Sequence, residues 1–287
     1  MVSGPIDKRS ARRAFEKAAP DYDRAAVLQR EIAKRMEERL DYVRLEPGVV
    51  LDLGSGTGYA VDALQRRYRK ARVIALDFAL AMLRIARRRG SVLRRPRCVC
   101  ADAEALPLTD ACVDLIFSNA TLQWCNDLDR TFRELARVLK PGGLLMFTSF
   151  GPDTLRELRD AWATVDGYRH VSPFPDMHDV GDALVRARFA EPVMDAERLT
   201  VTYEAVRSLM SDLKVLGTRN ATVERPRGLT GPGRLRSLER AFETHRRDGR
   251  LPATYEVVDG HAWAPVARPV ENGVAIPVGA IGRRRGP

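Results

Sequence analysis

Histidine is scarce in this chain of 287 residues, occurring only as His170, His178, His245 and His261. Its four cysteines, Cys98, Cys100, Cys112 and Cys125, follow no zinc-ligand spacing. Reduced, packed thiols are therefore expected, and no metal site. No apolar run approaches the roughly 18 to 20 residues needed to span a bilayer, which argues against membrane insertion. The first twenty residues contain Asp7 and Glu16 and lack an apolar core, so no secretory signal is expected and the cytoplasm is the expected location. Lys and Arg total 48 against 38 Asp and Glu, a net charge of +10. Basic clusters such as Arg12-Arg13, Arg87-Arg88-Arg89 and Arg246-Arg247 are not interleaved with the aromatics that stack on bases. Charge alone thus does not imply nucleic acid. It fits either an acidic partner or a solvated, arginine-rich surface.

What is present starts with Val49-Val50-Leu51, a β-branched apolar run that ends in Asp52 and enters three glycines at alternate positions, Gly54, Gly56 and Gly58. Tyr59 to Arg69 then has helical spacing. A strand, a glycine loop and a helix amino terminus make a nucleotide-type pocket at the carboxyl edge of a parallel sheet. Further strands are expected at 72–77, 98–101, 113–119 and 144–150, with helices at 79–89 and 129–139, the last stopped by Lys140-Pro141-Gly142-Gly143. Alternating strands and helices predict an α/β fold, a mostly parallel sheet with helices on both faces. Asp52, Asp77, Asp102 and Asn119 recur at strand ends and would line one crevice.

Residues 10–44 read as a helical cap, broken at Pro20, with Phe15, Tyr22, Val27, Leu28, Ile32, Met36 and Leu40 on one apolar face. After Phe150, helices are expected near 153–165, 176–188, 203–216 and 233–248, with strands near 191–202 and 253–263. The organisation is a single domain over 1–263: the cap, a cofactor-binding core at 45–150, and an acceptor-binding part with closing strands at 151–263. Residues 264–287 lack periodicity and are expected to be a disordered tail.

The loop spells G-x-G-x-G rather than G-x-G-x-x-G, and Asp52 sits two residues before the first glycine. A pyrophosphate would not welcome that carboxylate, whereas a cationic amino-acid ligand would. S-adenosylmethionine has an ammonium, a sulfonium, a ribose diol and an adenine, and no phosphate. Asp52, Gly54 and Gly56 would accommodate its methionine part, Asp77 the ribose, and Asp102-Ala103 the adenine edge. Residues 49–58, 74–77, 101–104, 113–119 and 135–147, together with LPL at 106–108, resemble the ordered motifs of class I S-adenosylmethionine-dependent methyltransferases. That resemblance implies a Rossmann-like sheet with helical acceptor-site insertions and adds Phe78 and Asn119 to the cofactor residues.

The second half resembles the malonyl-acyl-carrier-protein O-methyltransferases of biotin synthesis. The phrases are Ser118-Asn119 with Leu122-Gln123-Trp124-Cys125, Ala161-Trp162 with Val165-Asp166, His170 with Phe174, Leu213-Lys214 with Gly217, and Pro252-Ala253-Thr254-Tyr255. Phe15 and Tyr22-Asp23 fit as well, while Thr218-Arg219-Asn220 departs from the usual pattern. The resemblance implies an acyl carrier protein bearing malonyl as partner, with the free malonyl carboxylate as methyl acceptor. Such a carboxylate is ionised at pH 7, so no general base is needed and the scarcity of histidine is no obstacle. Tyr22 and Lys214 are the expected catalytic and carboxylate-binding residues, with Gln123, Trp124, His170 and Phe174 as further acceptor contacts. Arg207 and Lys214, seven apart, should share a helix face. A rival resemblance, through His170-Val171-Ser172-Pro173-Phe174 and Pro252 to Tyr255, is to an arginine hydroxylase of respiratory-complex assembly. Two more functions stay open at the level of sequence: methylation of another small molecule, and charge-driven binding of nucleic acid without catalysis.

Overall fold

The computed structural model describes residues 5–90, 94–218, 220–223, 225, 228 and 230–266. The expected tail lies outside them except for residues 264–266.

Seven strands form one sheet in the order β3-β2-β1-β4-β5-β7-β6. They are β1 (Val49–Leu53), β2 (Arg72–Asp77), β3 (Arg97–Cys100), β4 (Val113–Ser118), β5 (Leu139–Phe150), β6 (Ala190–Tyr203) and β7 (Leu251–Trp263). The first five pair in parallel, whereas β7 runs antiparallel to both β5 and β6. Successive residues divide between two cores, as the period-2 geometry of a strand requires. Leu51, Ile116, Leu145 and Phe147 enter one apolar cluster, while Val50, Leu115, Phe117, Leu144 and Met146 enter the other. Helices α4 (Tyr59–Arg67) and α5 (Leu80–Ala86) cover the second cluster through Val61, Leu64 and Leu83. Helices α6 (Leu128–Val138) and α8 (Met177–Arg186) cover the first through Phe132, Leu135, Val180 and Leu184. A sheet buried on both faces is thus what the hydrophobic strand runs specify. Among the described residues no helix is long and apolar enough to cross a membrane.

Three details differ from the expectation. The amino-terminal cap has two breaks rather than one, giving α1 (Lys8–Ala18), a single turn α2 (Tyr22–Ala25) and α3 (Val27–Arg39). The additional break at Ala26 (φ −78°, ψ 42°) resets the helical phase, leaving Val27 64% exposed while Ile32, Met36 and Leu40 remain buried. The segment Leu139 to Gly143 is already part of β5, because Leu139 pairs with Val113 across a register shift. Among the thiols, Cys100 is exposed rather than packed.

Beyond Phe150, α7 (Arg156–Ala163), α9 (Val206–Val215) and α10 (Pro232–Glu243) pack on β7 around Leu158, Trp162, Leu209, Leu238, Phe242 and Tyr255. Glu157, almost wholly buried, accepts the Thr254 backbone N–H at 3.0 Å and its hydroxyl, fastening α7 to the strand that carries Tyr255.

Candidate active site

Parallel pairing sets Asp52 opposite Ala75 and carries β2 on to Asp77, so both acids reach the same sheet edge. Asp52 and Asp77 are 2% and 7% exposed. Burial raises the Asp52 carboxyl to about 8, with the neighbouring Asp77 charge adding to the rise. Burial also lifts Asp77, to about 6, against the opposing pull of backbone N–H donors from Ala79 and Gly56. Those bonds measure 2.8 Å to Oδ1 and 2.9 Å to Oδ2.

The glycine loop has the conformation the motif implied. Gly54 and Gly56 have φ of +70° and +52°, a region open to glycine at little cost. A Cβ on Gly54 would lie 2.0 Å from Thr121 Oγ1, so close approach of the β4 loop also demands glycine there.

A first cavity opens beside this loop. It is lined by Gly54, Gly56, Asp77, Phe78, Asp102, Ala103 and Asn119, with Tyr22 and Phe15 from the cap. Seven of the eight expected cofactor residues therefore converge. The eighth, Asp52, lines an adjoining small cavity with Tyr22, Gln29, Ser55, Gly56 and Asn119. Asp102 is not a free carboxylate: Lys8 Nζ holds its two oxygens at 2.8 and 2.7 Å. Asn119 is likewise engaged, donating to the Gln29 carbonyl at 2.9 Å and accepting from Thr148 Oγ1 at 2.9 Å.

The cap is fastened over this edge. Asp23 accepts from Arg89 at 2.6 Å and from the Thr57 hydroxyl within the glycine loop. Asp7 N–H donates to the Ala221 carbonyl at 2.7 Å. Tyr22 lies over the loop, its Cε1 3.9 Å from where a Gly56 Cβ would stand. Burial, with Asp77 and Asp23 nearby, raises its hydroxyl above the ordinary tyrosine range and keeps it a donor.

The second cavity, of ≈ 510 Å³, is walled by Phe150, Leu158, Trp162, Phe174, Met210 and Tyr255, with Arg207, Lys214 and His170 as its basic groups. Arg207 and Lys214 both face it, as their seven-residue spacing required, although Arg207 is matched by Glu239. His170 is held rather than free: its Nε2 is 2.9 Å from Asp166 Oδ1, and its ring stacks on Trp162 with centroids 3.6 Å apart. Gln123 and Trp124 line both large cavities. Of the expected acceptor residues, Tyr22 alone is absent from the second cavity, lining instead the first and the small cavity.

Sequence reasoning did not single out Lys8, Gln29 or Tyr255 for roles. Tyr255 belonged to a recognised phrase, so a signal existed. Lys8 and Gln29 are ordinary polar helix positions that gain meaning only from partners far along the chain, Asp102 and Asn119.

The residues present suit S-adenosylmethionine. Among the described residues, Asp52 Oδ2 and Ser55 Oγ are buried without a hydrogen-bond partner, and both residues line the small cavity. Buried polar atoms are rarely left unpaired. Acceptor atoms clustered beside a glycine loop fit a ligand ammonium.

A family model described as a methyltransferase domain matches residues 51–147. The malonyl-acyl-carrier-protein O-methyltransferase of Gallionella capsiferriformans is 52% identical, covering 94% of this chain and 96% of its own length. That of Halorhodospira halophila is 53% identical, covering 98% and 97%. Among solved structures, the YcgJ protein of Bacillus subtilis superposes with a TM-score of 0.58 at 16% identity, covering 82% of this chain and 98% of that one. The cyclase SpnF does so at 0.50 with 22% identity, covering 82% of each. These structural likenesses bear on the fold alone, since one fold hosts several chemistries.

Proposed function

Since the chain belongs to the malonyl-acyl-carrier-protein O-methyltransferase family, we propose that it moves a methyl group from S-adenosylmethionine to the free carboxylate of malonyl carried on an acyl carrier protein. The observation that carries this reading is a pair of cavities sharing one wall, a donor cavity beside the glycine loop and an apolar acceptor cavity with Lys214 at its rim. The ester product is the capped malonyl unit that primes the pimelate part of biotin.

S-adenosylmethionine supplies, when bound, a methyl group on a positively charged sulfur, and the acceptor carboxylate oxygen takes that methyl as the carbon–sulfur bond breaks. Asp52 binds the ammonium and Asp77 the ribose hydroxyls, while Phe78, Ala103 and Phe15 enclose the adenine. Tyr22 closes the donor cavity. Lys214 and the Tyr255 hydroxyl, which burial keeps protonated, hold the acceptor carboxylate. Phe150, Phe174 and Trp124 exclude water. Chemistry without a general base asks the protein for orientation and a dry path.

The discriminating experiment follows labelled methyl from S-adenosylmethionine to malonyl-carrier protein, malonyl-coenzyme A and ubiquinone precursors. Transfer to the malonyl acceptors is expected. Hydroxylation of a protein arginine without methyl transfer would sink the reading. With the carrier-linked acceptor, KM is expected to rise about tenfold from low to high salt, because the net charge of +10 attracts an acidic partner and salt screens that attraction. A salt response equal for the small thioester would remove the steering idea.

Donor binding should depend on pH. In the free protein Asp52, at about 8, is largely protonated at neutral pH, whereas beside a ligand ammonium it is ionised. Binding therefore releases a proton below pH 8, and affinity rises by roughly tenfold per pH unit on that limb. Above it the ligand amine, with a pKa of about 8, loses its own charge. A maximum near pH 8 is expected. Calorimetry in buffers of different ionisation enthalpy should register the released proton, and Asp52→Asn should abolish that release.

A further inference from the structure

Five residues line both the donor and the acceptor cavity: Gln29, Gln123, Trp124, Phe150 and Thr218. A transferred methyl group has to pass between them. Two of the five end in an amide, and in each the side-chain carbonyl oxygen is buried without a partner among the described residues. The orientation of Gln123 is set by its Nε2, which donates to the Ala120 carbonyl at 2.6 Å and leaves Oε1 over. Gln29 is anchored through its backbone, whose carbonyl accepts from Asn119 at 2.9 Å, and the residue is part of the lining of all three cavities. Burying an amide oxygen unpaired is costly. The fold does so at two residues of this shared lining.

We infer that Gln29 and Gln123 form a subsite for the positive charge of the methylsulfonium group, and that the pair separates the charged methyl donor from its neutral thioether product. The inference rests on the S-adenosylmethionine reading above. Amide oxygens carry partial negative charge, and in a site shielded from water their attraction for a cation is strengthened. A sulfonium spreads its charge over the methyl group and the adjoining carbons. The thioether left after transfer carries none, so it loses this attraction while keeping every contact made by its ribose, adenine and amino-acid parts. The neck thereby favours entry of fresh donor over retention of product.

An amide also suits the position better than an acid. A carboxylate would offer a competing nucleophile to the methyl group and would repel the incoming malonyl carboxylate. A neutral amide does neither. Trp124 and Phe150 complete the neck with aromatic rings, whose faces tolerate a cation.

The test is equilibrium binding of S-adenosylmethionine and S-adenosylhomocysteine to the full chain, as wild type and as Gln29→Leu, Gln123→Met and Gln29→Glu. Gln29→Leu and Gln123→Met are expected to weaken the methionine ligand about five- to tenfold and leave the homocysteine ligand within about twofold. Gln29→Glu is expected to move the ratio of the two affinities the opposite way. Homocysteine-ligand binding also certifies that each variant is folded. A ratio unchanged in all three variants overturns the neck, as does an equal loss for both ligands in Gln29→Leu and Gln123→Met. A wild-type chain that binds neither ligand overturns the methyl-donor reading itself.

Discussion

Asp77→Ala is expected to raise the dissociation constant for S-adenosylmethionine by about 100-fold, measured by calorimetry on the full chain. Two losses combine. The ribose loses a charged acceptor, and the Gly56 and Ala79 N–H groups lose the carboxylate oxygens they bond at 2.9 and 2.8 Å. Hydrogen bonds to charged groups contribute about 1.5–3 kcal/mol each, and a net loss of about 2.7 kcal/mol is a factor of about 100. Asp77→Asn keeps one carbonyl acceptor and should cost about tenfold. The acceptor cavity does not include Asp77, so KM for the malonyl acceptor at saturating donor should stay within about twofold. An alanine variant with wild-type donor affinity would remove the ribose assignment.

Lys214→Glu is the corresponding test of the acceptor side. Reversing this charge should raise KM for the malonyl acceptor by about 50-fold and leave the donor dissociation constant unchanged within about twofold. The reason for the separation is position: Lys214 lines the second cavity, on the opposite side of the neck from the glycine loop. Arg207 faces the same space but is already matched by Glu239, so Arg207→Ala should have a much smaller effect, about threefold. Lys214→Arg keeps the charge and should recover most of the affinity for the acceptor. If Lys214→Glu left KM within threefold of wild type, the carboxylate would have to be held elsewhere, and Tyr255 would be the next residue to change.

Much of the donor site was legible locally. Val49 to Gly58 encodes strand, turn and helix start within ten residues, and each of its glycines answers a backbone need that shows in its φ. Asp77 was readable for the same reason, because an acid at the tip of an apolar strand has one sheet edge to reach. Less was legible at Asp102, whose strand-end position suggested only a place at the crevice, beside the adenine edge. Lys8, 94 residues earlier, holds its carboxylate. The second break in the cap was hidden too, since Ala26 carries no breaker signal.

The parallel sheet, the glycine loop and the acids at its edge, and hence the kind of methyl donor, were already written in the residue pattern. These follow from periodicity and from backbone demands confined to a few neighbouring residues. It is the folded chain that puts Tyr22 in the lining of the first cavity and not the second, ties His170 to Asp166 and Trp162, and brings Gln29 and Gln123 into the lining shared by both cavities. Those relations join positions far apart in the chain. No local pattern records them, because the side chains acquire their partners only when the cap and the α7–α10 helices close over the sheet.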